Sequence, residues 1–355
     1  MAFANQQKQT IRDIAQAAGV SAKTVSLVLN AKPGVNEMTR LRVLEVVRET
    51  GYRPHRGAQM LRGVGTPSIG FTLPAPPDRV PLSQSFFVWL FEEIFRVFAP
   101  RGYYVTFDLN PYALGPDVDY ARGIWECAYS ACILCGPIAL KDDILPRIHE
   151  AKVPYVAFGR AETPCSYATV DYEDAAYRST RYLIERGHRN IGMLKAFAGF
   201  YPGLERERGY RRALNEAGLS FQPDYLRTVS FGASNIATTV QSILVHPEVT
   251  ALVECSGTED ASAIREGAAL AGRAPGKDFD IVDWSYVENT CVLSEACAHV
   301  WLPVREAAAE GLEKLAKWLE GEEKGPIHVL RRGTLVEAGG HSEISQLKRL
   351  FVTSD

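Results

Sequence analysis

The side chains with most to offer chemically lie between Thr10 and Ser26. There Thr10, Ser21, Thr24 and Ser26 supply hydroxyls and Lys23 supplies an ammonium, on either side of Gly19. The elements that must position them read as two short helices joined by a tight turn. Thr10 can cap the first helix by accepting from an orphan backbone N–H, and Ile11, Ile14, Ala15 and Ala18 recur at helical spacing. Gly19 sits where the chain leaves that helix, a position that favours left-handed backbone. Ser21 caps the second helix, whose inner face is expected to be Val25, Val28 and Leu29. A third amphipathic helix, roughly Glu37 to Thr50 with Asn36 as its cap, is expected to turn Leu41, Leu44 and Val47 inward. Units of three such small helices project the N-terminal side chains of the second one into a DNA major groove.

Charge supports that expectation. The chain as a whole carries −3, which by itself would not suggest nucleic acid. Residues 1–62, however, hold ten Lys or Arg and four acids, so this segment carries +6 and the other 293 residues carry −9. A basic head on an acidic body is the electrostatic footprint of phosphate binding by one domain. A small basic bundle with a merely solvated charged face is the plain alternative.

At 355 residues the chain exceeds one typical domain. It has no apolar run of about 18 residues, so no membrane partner is expected, and its first residues lack the apolar stretch of a signal peptide. A cytoplasmic location is therefore expected, with the seven cysteines reduced. Cys132 and Cys135 form a C-x-x-C inside the apolar run Ala131–Gly136, where thiols filling core space are expected rather than a metal site. The histidines His149, His188, His246 and His299 join no nucleophile, metal or phosphate-loop motif. Neither catalysis nor a cofactor nor a metal is expected.

Gly51-Tyr52-Arg53-Pro54 ends the third helix and Gly63-Val64-Gly65-Thr66-Pro67 opens the next domain. Between them Ala58–Arg62 allows about two helical turns, too few to be stable alone in water. Beyond residue 67, strands (68–73, 103–107, 131–134, 155–158, 191–194, 251–254, 281–282) alternate with helices (87–98, 175–186, 204–217, 237–244, 260–271). Such alternation argues for parallel α/β sheets, and its length for two lobes with a ligand at the carboxyl ends of the strands. The expected boundaries are a head over 1–53, a hinge over 54–66, an effector domain over 67–342 and a tail over 343–355. Within the effector domain, one lobe takes 67–168 and 299–328, the other 169–298 and 329–342.

The motifs T-I-R-D-I-A-x-x-A-G-V-S-x-x-T-V-S at 10–26, V-L-N at 28–30, T-R-x-R-V-L at 39–44 and G-Y-R-P at 51–54 carry a family resemblance. So do Y-L-I-E-R-G-H-R-N-I-G at 182–192 and R-x-R-G-Y-x-x-A-L-x-x-A-G-L at 206–219. The chain resembles the lactose-repressor/galactose-repressor family of transcription regulators over nearly its full length. The resemblance implies an all-α helix-turn-helix head and a two-lobed α/β effector domain folded like a periplasmic sugar-binding protein, with parallel sheets and helices on both faces. It further implies a homodimer on double-stranded operator DNA and a carbohydrate-like small-molecule effector.

Carried over by residue, Ala22 and Lys23 open the recognition helix, and Thr24 and Ser26 lie where hydroxyls meet phosphates or base edges. Thr10, Ser21, Asn30 and Tyr52 join the DNA-facing set. Leu27 replaces the usual arginine and can offer only an apolar contact, for example to a thymine methyl. Leu61 matches the hinge leucine that wedges between base pairs, in a hinge where His55, Gln59 and Met60 depart from the pattern and Gly57 weakens the helix by roughly 1 kcal/mol relative to alanine. In the effector cleft Arg206 matches the ligand-clamping arginine. Phe86 and Phe87, the latter favoured, match aromatics that stack on a ligand ring. Asp171 is read as either a hydroxyl acceptor or a helix cap, and Trp284 and Trp301 as either sugar platforms or core.

Two polar motifs of the family are replaced: the Asn-Asp pair by Gly257-Thr258, unless a gap brings Glu259-Asp260 into register, and the Gly-Phe-Asp-Asp motif by Asp283-Trp284-Ser285-Tyr286. The cleft is thus expected to be poorer in carboxylates and richer in aromatic surface than a typical sugar site. The function expected is ligand-responsive repression of carbohydrate or related catabolic genes; the alternative is a DNA-binding regulator without an effector, constitutive or governed by a protein partner.

Overall fold

The computed structural model describes residues 9–29, 32–52, 68–72, 85–108, 119–136, 138–196, 198–229, 235–286 and 292–338. The chain divides into two compact units, Met1–Thr66 and Pro67–Asp355. The expected hinge and Leu61, together with Asn30 and the tail, lie outside the described residues, as do the side chains of Ser85 and Phe86.

In the first unit, α1 (Ile11–Ala17), α2 (Ala22–Leu29) and α3 (Glu37–Thr50) enclose a small core of Ile14, Ala15, Ala18, Val25, Val28 and Val43. Thr10 caps α1 in a reciprocal box: Asp13 N–H donates to the Thr10 hydroxyl, and Thr10 N–H donates to the Asp13 carboxylate at 2.6 Å. Asn36 caps α3, accepting from Thr39 N–H at 2.8 Å. Gly19 and Gly51 take φ of +63° and +62°, which makes glycine the residue that lets the chain turn out of α1 and α3.

The inner face of α3 differs from expectation. Leu41 and Leu44 are 58% and 44% exposed, whereas Val43 is buried and Val46 and Val47 pack against the core. Val43, Val46, Val47 and Thr50 form the i, i+3, i+4, i+7 stripe that faces the other two helices; Leu41 and Leu44 flank it.

The second unit holds two six-stranded sheets. The first comprises β1 (Ser68–Thr72), β2 (Tyr104–Asp108), β3 (Ala131–Leu134), β4 (Tyr155–Ala157), β5 (Tyr167–Val170) and β11 (His328–Arg331), in the order β11-β5-β4-β3-β1-β2, all parallel. The second comprises β6 (Ile191–Ala196), β7 (Leu226–Val229), β8 (Ala251–Cys255), β9 (Asp280–Ser285), β10 (Ala298–Trp301) and β12 (Thr334–Glu337), in the order β12-β10-β9-β8-β6-β7. There β12 alone runs antiparallel, against β10. Near-continuous apolar strands such as Ala131–Leu134 and Ala251–Cys255 are buried along their whole length, as parallel strands covered on both faces must be.

The covering helices are α4 (Ser85–Phe98), α5 (Arg122–Trp125), α6 (Ile144–Glu150) and α11 (Val304–Glu320) around the first sheet, and α7 (Tyr172–Glu185), α8 (Tyr201–Glu216), α9 (Ile236–Leu244) and α10 (Ala261–Leu270) around the second. Helix α11, not assigned from sequence, buries Val304, Ala307, Ala308, Gly311, Leu312 and Leu315 at helical spacing. No helix among the described residues is long and apolar enough to cross a membrane.

The chain crosses between lobes after β5, after β10 and after β11. This corrects the expected lobe boundaries at two strands. Residues 299–301 belong to the second sheet, because β10 pairs residue for residue with β9 from Ala298↔Val282 to Trp301↔Ser285. Residues 329–331 belong to the first, because β11 pairs with β5 from His328↔Tyr167 to Arg331↔Val170.

Cys132 and Cys135 are both fully buried free thiols. Three residues apart along an extended run, they face opposite sides of the sheet, Cys132 with Leu134 and Tyr155, Cys135 with Ile133 and Val156. They fill two different cores.

Candidate functional sites in the head and the cleft

In the head, Ser21 precedes α2 and caps it: Thr24 N–H donates to Ser21 Oγ at 3.1 Å, and the two hydroxyls share a hydrogen bond of 2.9 Å. The hydroxyls of Ser21 and Thr24 therefore shape the start of the helix as well as lying on its leading turn. Lys23 is exposed there, while Ala22, Thr24, Ser26 and Leu27 are half-buried. Tyr52 packs against the head core, as does Ala22. The first turn of α2 holds no acid, so no carboxylate there offsets the partial positive charge of the helix start or the Lys23 ammonium.

In the second unit, the polar residues gather where parallel strands end. Glu254 and Ser256 stand at the end of β8, Ser285 and Tyr286 at the end of β9, Trp301 at the end of β10, Arg160 after β4 and Asp171 after β5. Helix α8 begins after β6 and carries Glu205 and Arg206 in its first two turns. The lobes meet there: Leu140 N–H donates to Gly199 C=O at 3.0 Å and Tyr201 N–H to Ile138 C=O at 2.9 Å. Two ion pairs cross the same gap. Arg160 Nε donates to Glu205 Oε1 at 2.8 Å and Arg208 Nη2 to Glu162 Oε1 at 2.7 Å.

Arg206 has no exposed surface. Its Nε donates to Cys255 C=O at 2.9 Å, Nη1 to Pro202 C=O at 2.9 Å and Nη2 to Tyr286 Oη at 3.2 Å. The guanidinium lies 4.0 Å from the centre of the Tyr172 ring and 5.3 Å from that of Trp284. Burial works against the charge, but the neighbouring Tyr286, Tyr172, Cys255 and Glu205 outweigh it and hold Arg206 more firmly protonated than a free arginine.

The expected ligand aromatics resolve differently. Phe87 is 3% exposed and sits with Leu90 and Ile94 in the first-lobe core, because positions 87, 90 and 94 share one face of α4. Trp284 is fully buried, donates Nε1–H to Ser179 Oγ at 3.0 Å and stacks beneath Tyr172 at an interplanar angle of 13°. Both are core residues, since alternation along β9 sends Trp284 to the face covered by α7. Trp301 is half-buried. Asp171 caps α7, accepting from Asp174 N–H at 3.0 Å, and its Oδ1 lies 3.8 Å from Arg160.

Residues not singled out from sequence complete the site: Arg160, Tyr172, Glu205 and Glu254. Position beside Arg206 in the same helix was the available signal for Glu205. Its Oε2 is buried without a hydrogen-bond partner. Burial raises its carboxyl pKa, and Arg160 only partly opposes this. Glu254, fully buried on β8, is pushed up to about 7 by burial and by Asp283 beside it, against hydrogen bonds from Ser256. Asp283 in turn pairs with His299 Nδ1 on β10 and accepts from Leu293 N–H at 2.7 Å. His188 bonds Thr250 at 2.9 Å and Asp280 at 3.1 Å and fastens the turn before β6, a structural role.

Residues 10–55 match the family described as bacterial regulatory proteins, lacI family, and residues 115–302 match periplasmic binding proteins and sugar binding domain of LacI family. The HTH-type transcriptional regulator AglR of Rhizobium meliloti (strain 1021) is 30% identical over 277 residues, 77% of this chain and 76% of that protein. The maltose regulon regulatory protein MalI of Escherichia coli (strain K12) is 28% identical over 78% of this chain and 79% of its own length. Among solved structures, the lac repressor dimer bound to operator and the anti-inducer ONPF superposes with a TM-score of 0.74 at 20% identity, covering 94% of this chain and 99% of that one. A CelR–cellobiose complex gives 0.61 at 24% identity, covering 93% and 100%. With a capped helix-turn-helix head followed by two parallel-sheet lobes, this chain belongs to the LacI family of bacterial transcription regulators and is a DNA-binding member of it.

Proposed function

We propose that this protein acts in the cytoplasm as a homodimeric repressor of carbohydrate genes, released from or held on its operator by a small hydroxylated effector. Each head reads one half of a pseudo-palindromic site through the leading turn of α2, with Lys23 on phosphate and Leu27 giving an apolar base contact. Paired hinges around Leu61 bend the centre of the site. The effector enters between the lobes at the strand ends, and its differential affinity for two lobe arrangements sets how many hinges are ordered.

One observation carries this reading: the hydroxyl-capped start of α2, with Lys23 exposed on it, in a segment (residues 1–62) of charge +6. The arginine on aromatic rings at the strand ends supports an effector site in the second unit. Genome-wide footprinting supplies the operator, and fluorescence anisotropy of that duplex, with and without a panel of disaccharides, tests the coupling. Operator affinity that shifts with one saccharide is the expected result. Specific operator binding unmoved by any of them would favour control by a protein partner instead.

A further inference from the structure

We propose that Tyr286 is a specificity-determining residue, which supplies Arg206 with an internal acceptor and thereby selects an uncharged, hydroxyl-bearing effector over a carboxylate or phosphate. The inference rests on the effector-site reading above and sharpens it to a ligand class.

A buried arginine in a ligand cleft recruits an anion when its fork faces unfilled space. Here the fork faces Tyr286 Oη at 3.2 Å, and Nε and Nη1 are taken by main-chain carbonyls. Tyr286 is held at its main chain and crowded at its ring. Tyr286 N–H donates to Glu259 Oε1 at 3.1 Å. A Cβ at Gly257 would lie 2.6 Å from Tyr286 Oη, and Gly257 has φ of +72°, so glycine is the residue that admits the ring. Arg206 is fully buried, whereas Tyr172 and Tyr286, which touch it, are half-buried. A ligand therefore meets aromatic faces and a phenol before it meets the guanidinium.

The surrounding charge acts in the same direction. Arg160 is matched by Glu205 and Asp171, and Arg206 has Glu205 and Glu254 as neighbours. Glu259 stands behind Tyr286. Among the described residues that touch Arg206 and Arg160, an added anion would meet carboxylates already paired with these cations, while hydroxyls can donate to the orphaned Oε2 of Glu205 once the lobes part.

Calorimetric titration of full-length wild type, Tyr286→Phe and Glu205→Gln with cellobiose, maltose, glucuronate and glucose 6-phosphate tests this. Wild type is expected to bind a neutral disaccharide at least about tenfold tighter than either anion. Tyr286→Phe leaves Nη2 without its phenol, and Glu205→Gln removes a repelling charge; each is expected to shift the anion-to-neutral affinity ratio upward about tenfold or more. Far-UV dichroism and melting establish that each variant is folded, and Tyr286→Phe reads the contribution of the phenol itself. Equal wild-type affinity for both classes, or a ratio unchanged in folded Tyr286→Phe whatever Glu205→Gln does, overturns the selectivity of Tyr286 while leaving the effector site standing. Absence of any saccharide binding to wild type overturns the effector site itself and this proposal with it.

Discussion

Arg160 of the first lobe donates Nε–H to Glu205 Oε1 of the second at 2.8 Å, and so ties the segment after β4 to the second turn of α8. The arginine side chain is 22% exposed and the glutamate 1%, which makes the pair a nearly dry contact on the carboxylate side. It joins two sheets that share no strand.

Removing the cation from that pair should be costly. Arg160→Ala leaves Glu205 buried without its hydrogen-bonded arginine, and breaking a buried pair in this way costs about 3 kcal/mol. Urea unfolding of wild type and variant measures it. A loss below about 1 kcal/mol would mean that solvent screens the pair as it does on a surface.

Glu254 should make stability fall as pH rises. Its folded pKa of about 7 lies above the ordinary 4.5, so between these values the folded chain holds a proton that the unfolded chain has released. Stability is full below the lower value, declines through the window and is lost by the time pH passes the upper one, about 3 kcal/mol in all. Glu254→Gln keeps the acceptor for Ser256 and abolishes the titration. The wild-type deficit relative to this variant, from urea midpoints, should grow from about pH 5 to about pH 8; a constant difference would contradict it.

In the head, Lys23→Ala should weaken operator binding across sequences alike and reduce the slope of log affinity against log salt by about 1, the signature of one lost phosphate contact. Anisotropy at several salt concentrations reads the slope. A sequence-selective loss with an unchanged slope would instead place Lys23 on a base edge.

Helices α7 and α8 touch through Gly209. A Cβ there would lie 2.1 Å from Glu173 O and 2.8 Å from Tyr177 N, backbone atoms that cannot swing aside. Gly209→Ala should therefore destabilise the effector unit by about 2–3 kcal/mol despite alanine's better helix propensity. Chemical denaturation gives the number, and a neutral result would show that the helices slide apart freely.

Thiol labelling of the native protein should mark Cys127, which is exposed, and spare Cys132 and Cys135 until the chain unfolds. Burial excludes reagent and pushes both thiols well above their usual pKa, so little thiolate forms. Mass spectrometry after brief alkylation distinguishes the sites.

Local interactions made much of this protein legible. The Thr10 box with Asp13, the Ser21 and Asn36 caps and the turn at Gly19 all act within a few residues, so the head could be drawn from its sequence. The alternation that yields two parallel sheets was legible for the same reason, because strand burial and helix amphipathicity repeat along the chain. The resemblance located Arg206, and the departure at Tyr286 was visible as a missing acid.

What those residues face was settled only by the fold. Arg160 meets Glu205 across 45 positions and Arg206 meets Tyr286 across 80, distances at which one sequence offers many partners of the same charge. Phe87 was favoured for a ligand face and Trp284 looked equally fit for a ligand face or a core, and helix and strand register sent both inward. Leu41 and Leu44 were apolar at plausible spacing, yet the valine stripe of α3 packed better against two helices and left them outside. The assignment of β10 and β11 to opposite sheets likewise depended on hydrogen-bond pairing between distant strands. Short-range capping and periodicity are written in neighbouring residues; partners, burial and charge balance in the cleft arise from packing the whole chain at once.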